Sequence, residues 1–291
     1  MKTKIIYILA GILLISGLYM TRPKTIDPEN LAAIEKVRSL DGDSLYVGFE
    51  PASYPVDVNY GSVEYSFNKG EITSQDPLYP LALSAINTDD GPHIKVLPIK
   101  DFRNLLGLES KSKESLENSY IAMLAHEAFH CYQMDHGLED DDFQEGQEEK
   151  NQAEFMEILN RLDDDQAYQD FYLNYLEGLV KYRDRGNKDL YLSAKKDLDA
   201  YVKSILDQDK YTIYRKNSAI MEVVEGSARF VENKVLDLKE EKRNGEFSRI
   251  FPKNTSKFYM AGALKVEILE NQGRLKDLTF DLSKSLDDFM E

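Results

Sequence analysis

Residues 120–134 read Tyr120-Ile121-Ala122-Met123-Leu124-Ala125-His126-Glu127-Ala128-Phe129-His130-Cys131-Tyr132-Gln133-Met134. Laid on a helix, the strongly polar side chains His126, Glu127, His130 and Gln133 fall at about 0°, 100°, 40° and −20°, a stripe roughly 120° wide. Every other position is apolar, and Glu127 is the one charge between Asn118 and Met134. A surface helix would carry charges opposite its apolar face. This segment therefore reads as a helix, near 113–136, that is buried on most sides and carries one polar stripe.

The stripe contains His126-Glu127-Ala128-Phe129-His130, the pattern H-E-x-x-H. Positions i and i+4 share a helix face, so two imidazoles can grip one zinc ion. The Glu between them can reach a metal-bound water as general base. Buried His and Glu side chains need a partner or a metal to offset their desolvation. A catalytic zinc takes a third protein ligand and keeps a position open. Two residues compete for the role. His136 gives the spacing of the metzincins, but that pattern has Gly where this chain has Gln133. On a continued helix His136 would lie about 15 Å along the axis from His126 and point roughly 80° away. Glu225 is the other candidate, in the helical segment Val224-Glu225-Gly226-Ser227-Ala228-Arg229-Phe230-Val231-Glu232.

The pairing of H-E-x-x-H with this E-G-x-A-x-F-x-E segment resembles the gluzincin metallopeptidases, the thermolysin-like and aminopeptidase-like branch of the zincins. The resemblance covers about a sixth of the chain. It implies that Glu225 is the third zinc ligand and that the fold is zincin-like. It also implies that a Tyr or His outside the motifs stabilises the oxyanion. Tyr259, one turn before Gly262, is the first choice and His93 the second. Residues 94–99 are the strand expected to hold an extended peptide at a sheet edge. Two departures mark this chain off from the thermolysin-like enzymes: His130 and Glu225 lie 95 positions apart, a much longer gap, and Arg229 stands where those enzymes have Asp. The region about 137–210 is accordingly read as an insertion, a lid or cleft wall.

The second motif also makes sense from its residues alone. Gly226 and Ala228 are small, which would let their helix come close to the metal helix. Glu225 and Glu232 are two turns apart on one face, so Glu232 can accept a hydrogen bond from a ligating imidazole. Glu222 and Arg229 share that face, and a surface row of ion pairs is the competing reading for these three. Cys131, about 140° round from His126, is expected to pack as a small apolar residue.

The 291 residues carry Lys+Arg 36 against Asp+Glu 52, a net charge of −16. Such a chain lacks the basic footprint of a nucleic-acid binder. One cysteine excludes an intramolecular disulfide framework and any Cys-rich zinc module, so a metal must be held by His and carboxylate. With 42% hydrophobic and 11% aromatic residues the chain can bury a core.

Residues 5–20 are uncharged and mostly apolar, preceded by Lys2 and Lys4 and followed by Arg22 and Lys24. As a helix they would span about 24 Å, short of a ~30 Å hydrocarbon core. Residues 1–24 therefore read as a signal peptide or an uncleaved membrane anchor, with the remainder outside the cytoplasm. Residues 25–111 read as a small β-containing subdomain: a hairpin of Val56-Asp57-Val58 and Val63–Phe67 around Asn59-Tyr60-Gly61, then a strand over 93–99 after the turn Thr88-Asp89-Asp90-Gly91. Residues 112–291 read as a helical zinc-binding catalytic subdomain. Its helices are expected near 113–136, 150–161, 165–184, 188–207, 211–242, 255–271 and 276–290, with breaks at Gly137, Gly186, Gly245 and Gly273. The acidic residues Glu139–Asp142, with Glu145, Glu148 and Glu149, read as a solvated loop, a calcium site being the lesser reading.

The chain is thus expected to be α+β, a small N-terminal sheet followed by a mostly helical body. The expected activity is zinc-dependent hydrolysis of a peptide or protein substrate by a membrane-anchored or secreted metallopeptidase. His126, His130 and Glu225 would hold zinc, Glu127 would be the base and Tyr259 the oxyanion donor. A metzincin-type peptidase using His136 and a non-catalytic zinc-stabilised surface binding protein are the alternatives.

Overall fold

Asp27 opens the first helix: its carboxylate accepts from the Asn30 amide at 3.1 Å, and Pro28 occupies the first turn, where no amide hydrogen is needed. The computed structural model describes residues 25–77, 83–105, 112–138, 149–238 and 251–290. The N-terminal segment 1–24, the acidic stretch after Leu138 and the expected break at Gly245 lie outside the described residues. No helix among the described residues is long and apolar enough to cross a membrane. The architecture is α+β, with a small N-terminal mixed sheet and a mostly helical body.

Two units are distinguished. The first holds the described residues up to His136 together with those from Val231 onward to 238. It contains α1 (Pro28–Arg38), the single turn α2 (Gly42–Leu45), strands β1 (Val56–Asn59), β2 (Glu64–Asn68), β3 (Glu71–Gln75), β4 (Ser84–Thr88) and β5 (Gly91–Val96), then α3 (Ile99–Leu105) and α4 (Lys113–Asp135). The sheet order is β3-β2-β1-β5-β4; β1 and β5 are parallel and the other pairs antiparallel. The expected hairpin is present, with Asn59 opposite Glu64. The third expected strand starts and ends earlier, at Gly91 and Val96. It lies between β1 and β4, so Ile94 and Lys95, paired on both sides, cannot accept an added strand. The edges are β3 and β4. Both were missed in the sequence: β3 is exposed at all five positions and β4 is Ser-Ala-Ile-Asn-Thr, so neither shows a clear apolar alternation.

Helix α4 packs against β4 and β5, which is why it groups with the sheet and not with the helices that follow residue 137. Ser112 caps it by accepting from the Ser115 amide. The Tyr120 hydroxyl donates to the Leu97 carbonyl at 2.8 Å. Tyr46 and Phe49 meet the Phe129 ring edge-on, a geometry aromatic pairs favour. The sheet also buries charge: Lys95 and Glu64, both fully buried, pair at 2.7 Å.

The second unit contains α5 (Glu149–Asp163), α6 (Gln166–Arg185), α7 (Lys188–Ile205), α8 (Gln208–Met221), the π-turn Glu222–Gly226 and α10 (Ser256–Asn271), and the start of α9 (Ser227–Leu238). Gly186, at φ 67°, ends α6 in the left-handed conformation and turns the chain into α7. Tyrosines build the core: Tyr168, Tyr172, Tyr175 and Tyr191 are almost wholly buried, with Phe258 among them. Two buried lysines are paired, Lys257 with Asp163 at 2.6 Å and Lys265 with Glu222 at 2.7 Å. The expected helix over 276–290 is absent. After a 3₁₀ turn at Leu275–Asp277, Leu278 and Phe280 are buried and Thr279 exposed, a period of two that suits extended chain; only α11 (Leu286–Phe289) is helical.

Candidate metal centre

Helix α4 buries its polar stripe along with its apolar faces. His130 and Gln133 are fully buried, and Glu127 and His126 nearly so. The Nδ1 atoms of the two histidines each face an oxygen: His126 Nδ1 lies 3.2 Å from Glu232 Oε2, and His130 Nδ1 lies 2.7 Å from Gln133 Oε1. A carboxylate and an amide oxygen accept but do not donate, so each suits a ring that carries a proton on Nδ1. The two Nε2 atoms lie 3.0 Å apart, close enough to share one partner.

Glu232 belongs to a helical run that is unbroken from Gln208 to Leu238. Seven residues before it, Glu225 lies within the π-turn and is almost wholly buried. Wide turns of this kind inside α-helices recur at functional sites. His126, His130 and Glu225 form a buried group whose ligand atoms all lie within 4.8 Å of one another, and this group could hold a metal ion. Two imidazole nitrogens and one carboxylate oxygen, with acceptors behind both imidazoles, are a donor set that zinc accepts. Among the described residues no other cluster of this kind occurs.

Gly226 makes a different contact from the one its size suggested. A Cβ there would lie 2.4 Å from the Gly262 Cα, and a Cβ on Gly262 would lie 2.3 Å from the Glu222 carbonyl oxygen. The small residues thus let the π-turn sit backbone-to-backbone on α10. Glu222 does not join a surface ion-pair row either. It is buried on Lys265, while Arg229 is exposed.

His136 is not brought into the group. Helix α4 runs on to Asp135, and His136 caps it exposed, its Nδ1–H donating to the Tyr132 carbonyl at 2.8 Å. His93 lies on β5, with Nδ1 3.1 Å from Asp57 Oδ2. Tyr259 is half-buried on α10, one turn before Gly262. Cys131 is wholly buried; burial pushes its thiol well above the ordinary value of 9.0, and the negative charges of Glu127, Asp135 and Asp57 add to the effect. Its burial was legible in the helix angle. The role of Gln133 was not: it appeared only as one more polar residue on the stripe, three positions after His130. No protein-family model, curated protein or solved structure matches the chain.

Proposed function

We propose that the chain is a zinc-dependent metallopeptidase of gluzincin type, with a zincin-like fold, acting on a peptide or protein substrate. The observation that carries the reading is the convergence of two imidazoles, each with an acceptor at Nδ1, and the Glu225 carboxylate beside a buried Glu127. When bound, zinc supplies Lewis acidity, acidifying water and polarising a carbonyl. His126, His130 and Glu225 are the residues that would hold it. Glu127 takes the proton of the attacking water and returns it to the leaving amine nitrogen. Glu232 and Gln133 keep both imidazoles in the ligating tautomer. Tyr259 is assigned as the hydroxyl donor to the developing oxyanion. Strand β4 has a strand partner only on its β5 side among the described residues, so its free edge suits an extended substrate held by main-chain hydrogen bonds. The apolar segment 5–20 would keep the acidic body at the outer face of a cell membrane or direct it to secretion.

The test compares the parent with Glu127→Gln for metal content and for cleavage of a peptide library. The expected result is one zinc per chain in both proteins and cleavage by the parent alone. Equal cleavage by both overturns the mechanism. A parent that takes up no zinc overturns the reading altogether.

A further inference from the structure

Three groups converge on the turn that bears Glu225. Glu222, its first residue, is buried and ion-paired with Lys265 Nζ at 2.7 Å. Lys265, itself buried, also reaches Asp287 at 2.8 Å. Asp287 is held in turn by Lys195 at 2.7 Å and by a hydrogen bond from the Tyr191 hydroxyl. One turn before Lys265 on the same helix, Gly262 lies against the Glu222 backbone, where not even a methyl group would fit. The π-turn is therefore held twice by α10, once through backbone contact and once through a buried charge pair. The residue that completes the charge cluster, Asp287, comes from α11, the last helical turn among the described residues.

A π-turn carries one residue more than the regular helix around it, so it needs tertiary contacts to persist. Without them the run 208–238 can relax to regular α-helix, and each residue before the relaxed turn rotates by about 100° relative to those after it. Glu225 lies within that turn and Glu232 beyond it, so the adjustment changes the angle between them. Two buried charges are also a costly way to pack a helix pair, since apolar residues of similar volume do as well or better for stability. Their presence beside this turn calls for a role other than stability.

We propose that Glu222 and Lys265, with Asp287 behind them, are positioning residues that clamp the π-turn and so aim the Glu225 carboxylate at the metal. The proposal rests on the metal reading given above. It assigns a task to the C-terminal segment: α11 is part of the device that sets the third ligand, although none of its residues belongs to the ligand group.

The experiment titrates zinc, against a chromophoric chelator, into the metal-free full-length chain, and records the cobalt(II) absorption spectrum of the same proteins. Lys265→Met tests the clamp, Lys265→Arg restores the charge, and Glu222→Gln/Lys265→Met removes both charges so that none is left buried alone if the single variant fails to fold. The proposal expects zinc to bind the Met variants about 10–100-fold more weakly. It expects their cobalt spectra to move toward that of Glu225→Ala, and Lys265→Arg to regain most of the affinity. A folded double variant with parental zinc affinity and an unchanged cobalt spectrum, whatever its melting temperature, overturns the clamp and leaves the metal reading standing. A parent that binds neither metal overturns both.

Discussion

The Nδ1 of His126 and the Oε2 of Glu232 lie 3.2 Å apart, although 106 positions separate them in sequence. The contact favours a proton on His126 Nδ1 and leaves its Nε2 facing His130. Removing the carboxylate frees the tautomer and the ring. Glu232→Ala should therefore weaken zinc about 10–100-fold without changing the stoichiometry. Competition with a chelator measures this, and unchanged affinity would show that the ring needs no such partner.

Glu225 and His136 make opposite predictions as third ligand. Glu225→Ala should lose zinc on dialysis or bind it far more weakly, whereas His136→Ala should keep the parental metal content, because that ring is exposed and donates to Tyr132. Metal analysis of the two dialysed variants decides between them, and zinc loss in His136→Ala would reverse the assignment.

Gly262→Ala should be among the most damaging single-methyl additions in the chain. Its Cβ would fall 2.3 Å from the Glu222 carbonyl and 2.7 Å from the Gly226 Cα, both backbone atoms that cannot swing aside. Overpacking costs about 1–3 kcal/mol, and the upper end applies here. The thermal midpoint should fall accordingly, by about 2–4 °C per kcal/mol for a chain somewhat smaller than this one. A midpoint equal to the parent's would mean that the helices part without cost.

Acid stability should depend on Asp287. Burial raises its carboxyl, but Lys265 and Lys195 outweigh burial and hold it well below the ordinary 3.8. A carboxyl depressed in the folded state stabilises above its unfolded value and loses that contribution as the pH falls through the folded one. Asp287→Asn should therefore be less stable than the parent at pH 7, and the gap should close as the pH drops below about 4. Denaturant melts across that range measure it. A gap that stays constant down to low pH would show that the Asp287 charge contributes nothing.

Cys131 should be unreactive. Its thiol is wholly buried and held well above the ordinary value, so little thiolate forms near neutrality. A thiol-specific chromogenic reagent should register no cysteine in the native protein and one after denaturation. Prompt native reaction would mean that the Cys131 thiol reaches solvent.

How much could be read in advance follows from where the deciding physics lies. The stripe on α4, the burial around it and the i, i+4 histidine pair are local, set by a 3.6-residue period that sequence displays directly. The tyrosine-rich helices, the stops at Gly137, Gly186 and Gly273 and the hairpin after Val56 are local too, and the structure has them. Strands β3 and β4 were not legible, because an exposed or short edge strand is defined by the neighbour it pairs with rather than by its own pattern.

The sequence by itself determined that this chain carries an α4 helix able to offer two imidazoles and a carboxylate to one point, and that no cysteine could join in. Only the tertiary structure decided the rest. It set Glu232 and Gln133 behind the imidazoles, put Ile94 and Lys95 inside the sheet instead of at its edge, packed Gly226 on Gly262, and sank Glu222 onto Lys265. Each of these joins residues far apart in sequence or selects one of several rotamers. Such choices are made by packing and by the need to pair buried polar groups, which no local pattern encodes.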